Sequence, residues 1–139
     1  MTINRINSII PPFLKPGDKI EIVSPAKYVS KEEIDYAITV IRTQGFEPIL
    51  NKGVFLKKNI FAGSVKQRSD NVQSALDNKE SKAIFFSRGG YGCIQIIDLL
   101  DFSKFQAAPK WLIGFSDVTI ILNHLYAKYN IQSIHGPMP

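Results

Sequence analysis

Ser116 stands between an apolar run, Trp111-Leu112-Ile113, and a stretch whose apolar residues recur at Val118, Ile121, Leu122, Leu125 and Tyr129. The run reads as a buried strand and the recurrence as an amphipathic helix. A serine at such a corner has two uses. On a sharp turn its hydroxyl is lifted out as a nucleophile, and the following N–H groups point at whatever it attacks. Folded back, the same hydroxyl caps the helix. Gly114, two residues earlier, leaves room for a strained turn, but Val118 stands where the α/β-hydrolase elbow has its second glycine. The corner is therefore not that fold's signature.

A second candidate is Arg88-Gly89-Gly90-Tyr91-Gly92, after the apolar stretch Lys82–Ser87. Its glycines allow a tight turn and a close approach of backbone to ligand. Free N–H groups there suit an anion or a developing oxyanion; the alternative is a flexible connector. The spacing is neither Gly-x-Gly-x-x-Gly nor a P-loop, so a nucleotide phosphate has no support. A serine nucleophile needs a base, and the histidines are His124 and His135. His124 lies two turns into the helix that Ser116 opens, roughly 12 Å along its axis. His135 follows the last apolar segment and could reach the other strand ends as a base. The pair has no metal-ligand spacing. Asp117 either orients a base or complements the helix dipole. Cys93 is either a thiol activated near a helix start or a small buried hydrophobe.

These residues need elements to hold them. Residues 1–17 read as a loose lead-in, and residues 18–139 as one domain. Strands are expected over Lys19–Ser24, Phe46–Leu50, Lys82–Ser87, Trp111–Ile113 and Ile131–Ile134, with Pro48 placing the second at an edge. Ser30-Lys-Glu-Glu33 is a capping box for a helix ending at Gly45. A second helix is expected from Val65 to Asn78 with Val72, Ala75 and Leu76 inward, and a short third carrying Ile94, Ile97 and Leu100. Alternating strands and helices give an α/β fold, a three-layer flavodoxin- or Rossmann-like domain with a mainly parallel sheet. The loops Ser24-Pro25-Ala26, Ser87–Gly92 and Gly114–Asp117 then meet at the carboxyl ends of the strands, where such sheets bind ligands.

Composition narrows the classes. Hydrophobic residues make up 45% and charged residues 21% of 139 residues, ordinary for a globular domain. The net charge of +5 comes from scattered lysines and arginines, with no basic run among aromatics, which argues against a nucleic-acid partner. No apolar run reaches membrane-spanning length and Ser8–Pro12 is too short for a signal core, so a cytoplasmic location is expected. One cysteine allows neither an intrachain disulfide nor a cysteine metal site.

Taken in order, Lys15-Pro-Gly-Asp18, Ser24-Pro25-Ala26, Ala62-Gly63 with Arg68 and Asp70, Arg88–Gly92, Pro109-Lys110 and Gly114-Phe-Ser-Asp-Val-Thr119 resemble the amino-terminal half of the LD-carboxypeptidase family of serine peptidases. That family includes muramoyl-tetrapeptide carboxypeptidases and microcin C immunity proteins. The resemblance implies Ser116 as nucleophile, an oxyanion hole from the backbone N–H groups of Asp117 and Gly90, and substrate-loop positions at Ser24, Arg88, Gly89 and Tyr91. It implies no metal and no organic cofactor. The implied activity is removal of the terminal D-alanine from murein tetrapeptide in peptidoglycan recycling. Alternatives are an immunity-type peptidase cleaving an aminoacyl-nucleotide antibiotic and a non-catalytic anion- or peptide-binding module. The family's base, a histidine oriented by a glutamate, belongs to a second, carboxyl-terminal domain absent from these residues, and neither His124 nor His135 matches it. The chain alone is therefore expected to be inactive and to expose an apolar face that favours homo-oligomers.

Overall fold

The computed structural model describes residues 7–139; residues 1–6 of the expected lead-in lie outside the described residues. The strands are β1 (Lys19–Val23), β2 (Glu47–Leu50), β3 (Ser81–Phe86), β4 (Trp111–Gly114) and β5 (Ile134–His135). They form a five-stranded sheet in the order β2-β1-β3-β4-β5, every pairing parallel. The order reverses between β1 and β3, so the loops leaving those strands part there and open a crevice at the carboxyl ends. Pro48 sits in β2 at the sheet edge, as its missing N–H requires.

Alternation along each strand divides the core in two. Ile20, Ile22 and Ala83 face α1 (Lys31–Thr43), which buries Ile34, Ala37 and Ile41 against them. Val23, Ile84, Phe86 and Leu112 face the opposite layer. That layer holds α2 (Val65–Asp77), α3 (Ser103–Ala107) and α4 (Thr119–Tyr129), with Val72, Leu76, Phe105, Ile121 and Leu125 buried. The three-layer expectation holds. Each such side chain, fully buried, contributes about 1.5–3 kcal/mol. The Ser30–Glu33 capping box forms as expected, and a second joins Ser64 to Gln67 at the start of α2.

Four readings change. The lead-in is not loose from residue 7 onward: Ile9 bridges Ile131, and the Trp111 indole donates to the Pro12 carbonyl at 2.9 Å. The last strand is Ile134–His135, not Ile131–Ile134, because Asn130 leaves α4 in the left-handed conformation and Ile131 pairs only with the lead-in. The short helix after the glycine loop is two 3-10 turns, Cys93–Gln95 and Ile97–Leu99, closed by i→i+3 bonds such as Ile96 N–H to the Cys93 carbonyl; Cys93, Ile96 and Ile97 are buried there, while Ile94, expected inward, is exposed. The five-residue α3 was not expected, since its sequence Ser-Lys-Phe-Gln-Ala has one core residue, Phe105, and no period to read.

Candidate active site at the carboxyl ends of the strands

Ser116 has φ +60°. Among the described residues the other non-glycine positions with positive φ are Asn59 and Asn130, whose short amide side chains tolerate that region; serine has no such allowance, and the conformation costs about 1–2 kcal/mol. The strain is held by the chain on both sides. Phe115 is fully extended, and Ser116–Val118 form a single 3-10 turn running into α4. A Cβ on Gly114 would lie 2.8 Å from Val118 Cγ1, so only glycine lets the helix close down on the strand end. The capping use is excluded: the cap positions of the 3-10 turn and of α4 are Phe115 and Val118, and neither start carries a side-chain cap bond. The Ser116 side chain is exposed, and among the described residues its hydroxyl has no hydrogen-bond partner.

The glycine loop closes on this corner. A Cβ on Gly89 would sit 3.0 Å from Ser116 Cβ, 3.2 Å from its Oγ and 3.4 Å from the Asp117 nitrogen. Gly90 and Gly92 take φ +122° and +149°, values that a side chain would strain. The Asp117 carboxylate accepts the Cys93 N–H at 2.9 Å, so it pins the corner to the end of the loop and orients no histidine.

Arg68, 1% exposed, braces the loop from beneath. Its Nη1 donates to the Pro25 carbonyl at 3.1 Å and the Gly92 carbonyl at 2.9 Å, and its Nη2 to Gln95 Oε1. The guanidinium lies over the Phe61 ring, 4.7 Å from its centre. Burial, opposed by nearby Cys93 and Asp117, pulls its pKa below the ordinary arginine value. Sequence reasoning assigned Arg68 no role in the site. A signal existed, because 68, 72, 75 and 76 share one helical face and an arginine there must reach a buried acceptor.

The remaining expected residues divide. Ser24 is a correction: at 1% exposure its hydroxyl bonds to the Val54 carbonyl and to Ser87 Oγ, so it ties two strand ends together and cannot touch substrate. Arg88 is half-exposed at the rim, paired with Glu33 at 2.9 Å. Tyr91 is exposed, its ring 6.5 Å from that of Phe61. His135 pairs in register with Gly114 and sets its ring 6.5 Å from Phe115, yet it makes no hydrogen bond to Ser116. His124 packs between Phe102 and Tyr129, and burial, then Lys128, lowers its pKa. Cys93 is buried, and burial followed by the Asp117 charge pushes its thiol far up, so it is a small hydrophobe and not an activated thiol. Among the described residues, no group of three or more histidine, cysteine or acidic side chains could hold a metal ion, and no helix is long and apolar enough to cross a membrane.

The arrangement can present an exposed hydroxyl beside a glycine-lined backbone cradle at a sheet's carboxyl edge. The chain is similar in sequence and fold to known proteins. The murein tetrapeptide carboxypeptidase of Pseudomonas aeruginosa is 31% identical over 86% of this chain and 39% of its own length. The muramoyltetrapeptide carboxypeptidase of Oxalobacter formigenes superposes with a TM-score of 0.75 at 30% identity, over 86% of this chain and 40% of that one. An MccF-like protein of Bacillus anthracis superposes with a TM-score of 0.86 at 27% identity, over 94% and 41%. The chain thus spans about two fifths of the length of the relatives it matches. Residues 20–136 match the model described as the LD-carboxypeptidase N-terminal domain, and the chain belongs to that family, Peptidase_S66.

Proposed function

We propose that this chain is the nucleophile-bearing part of a serine LD-carboxypeptidase that removes the terminal D-amino acid of a murein tetrapeptide in cytoplasmic cell-wall recycling. One observation carries the reading: Ser116 is held at φ +60° with an unused, exposed hydroxyl against Gly89. Strain of this kind persists only where the surroundings enforce it, and it gathers at reactive positions.

In this reading Ser116 Oγ attacks the carbonyl carbon of the scissile amide while its proton passes to a base. The carbonyl oxygen becomes an oxyanion facing the backbone N–H groups of Asp117 and Gly90. The C–N bond then breaks, the departing amine takes the proton, and an acyl ester remains on Ser116. Water cleaves the ester, which restores the hydroxyl and releases the shortened peptide. No base within the described residues contacts Ser116, so the reading draws the base from the carboxyl-terminal domain that the family resemblance implies. The 139 residues alone then lack turnover. The family resemblance also implies a second substrate, an aminoacyl-nucleotide conjugate cleaved by the same serine, in keeping with the likeness to an MccF-like protein.

A neutral fluorophosphonate should label Ser116 in the protein carrying both domains. Ser116→Ala should abolish that labelling and lower hydrolysis of an LD-tetrapeptide by about 10⁴-fold or more. Undiminished hydrolysis in Ser116→Ala, or turnover by the isolated 139 residues, would count against the reading. Parallel assays with the tetrapeptide and an aminoacyl sulfamoyl adenosine separate the two substrates.

A further inference from the structure

Lys27 is a partly buried lysine at the carboxyl end of the sheet with no carboxylate at ion-pair distance among the described residues. Its neighbour at the rim, Arg88, is already neutralised by Glu33. Lys27 is placed with care by the backbone. Its N–H points to the Gly89 carbonyl at 3.4 Å, and it bridges Phe61 on the opposite strand segment. Its methylene chain runs across Gly90 so closely that a Cβ there would lie 2.6 Å from Lys27 Cγ, 2.7 Å from Cδ and 3.1 Å from Cε. Gly90 is thus required twice, for φ +122° and for the passage of this side chain.

The geometry points to Lys27 as the residue that binds the free carboxylate of the substrate's terminal amino acid; this rests on the reading of Ser116 as the nucleophile. Gly89 touches Ser116, and Lys27 crosses the next residue, Gly90. Adjacent α-carbons are about 3.8 Å apart, which is close to the separation of a scissile carbonyl carbon from the carboxylate of the residue that leaves. A carboxylate set one residue beyond the reacting centre therefore falls beside the lysine chain. The ammonium is free to take it, because no internal acid competes. Phe61 and Tyr91, with ring centres 6.5 Å apart, form an apolar wall beside the same loop and reduce screening of the pair. A compact ammonium suits a small carboxylate whose exact angle varies with the residue released.

The test compares an LD-tetrapeptide with its terminal carboxamide in the two-domain protein. A charge-assisted hydrogen bond in such a site accounts for about a tenfold to hundredfold preference. Lys27→Met and Lys27→Gln should raise KM for the free-acid peptide by that factor, leave kcat within a few-fold, and leave the carboxamide unaffected. Lys27→Arg should keep most of the preference. Fluorophosphonate labelling of Ser116 should proceed at the wild-type rate in all three variants, which also reports that they are folded. An unchanged preference for acid over amide in both neutral variants overturns the assignment while Ser116 stands. Equal losses on acid and amide overturn it as well, since they mark a structural role. A wild-type protein that neither labels at Ser116 nor hydrolyses the peptide removes the parent reading and this inference with it.

Discussion

The two ends of the sheet solve opposite problems with the same strands. At the amino end, buried polar groups are bonded. Lys110, 6% exposed, gives its ammonium to the Ala75 and Asn78 carbonyls and to Ser81 Oγ, closing the carboxyl terminus of α2. Midway along β1, the buried Glu21 carboxylate accepts the amides of Asn51 and Asn78, one on each oxygen. At the carboxyl end, Ser116 is strained, and among the described residues neither its hydroxyl nor the buried Arg68 Nε has a hydrogen-bond partner. Satisfied polar groups rigidify a fold, whereas unpaired and strained ones are tolerated where they serve chemistry. Cavities point the other way. A cleft of about 940 Å³ lies at the amino end beside Phe13, Lys82, Lys104 and Lys110, away from Ser116, because the candidate site is an open rim.

If the division is real, substitutions at one end change rate and at the other stability. Short of removing Ser116 itself, the largest effect is expected from Gly89→Ala. Gly89 has no positive φ, so alanine adds no backbone strain, but its methyl must push Ser116 or the Asp117 N–H by a few tenths of an ångström. Displacement at a reacting centre costs rate steeply, so kcat should fall about tenfold to a hundredfold, with unfolding free energy changed by under ~1 kcal/mol. Steady-state kinetics beside urea denaturation measures both. A loss of stability without a loss of rate breaks the comparison.

Lys110→Met sharpens it from the other side. The variant leaves three acceptors without their donor but also removes a desolvated charge, so the net cost near pH 7 should be about 1–2 kcal/mol, with fluorophosphonate labelling of Ser116 unchanged. The cost should depend on pH. Burial lowers the Lys110 pKa from 10.5 to about 8, and Glu21 only partly offsets this. Between those values the unfolded chain holds a proton that the folded protein has released, so rising pH stabilises the wild type through this group. The Met variant lacks that gain, and its deficit should widen between pH 7.5 and 10. A deficit that stays flat with pH contradicts the buried-ammonium account.

How far the sequence revealed this division depends on the physical signal at each place. The strands and long helices were readable because burial on both sheet faces and on one helix face leaves a period. The corner at Ser116 was visible as a junction of those periods, but its φ was not, since serine suits a cap as well as a strained turn. Ser24 misled for a related reason: a polar residue at a strand's carboxyl end is consistent with a site, and only the partners Val54 and Ser87 show it is consumed internally. Arg68 and Lys110 act through contacts distant in sequence, which no local pattern encodes. Gly89 and Gly90 are alike in sequence, yet one packs on Ser116 and the other on Lys27.

The smallest effect tests whether the ends are independent. The Trp111 indole holds the Pro12 carbonyl, and its ring stacks on Phe13 with centres 6.5 Å apart, fastening the lead-in to β4 at its amino end. Trp111→Phe keeps the apolar body and removes one hydrogen bond, so it should cost about 1 kcal/mol. Hydrogen exchange should rise locally near the lead-in. Ser116 lies five positions farther along the same chain, past Gly114, so β4 is the direct mechanical route between the ends. A strand fixed on both sides by β3 and β5 should not carry a shift of that size to the corner. The labelling rate of Ser116 should therefore match wild type. A change of several-fold would mean that the lead-in sets the corner's geometry through β4, and that the two ends form one cooperative unit.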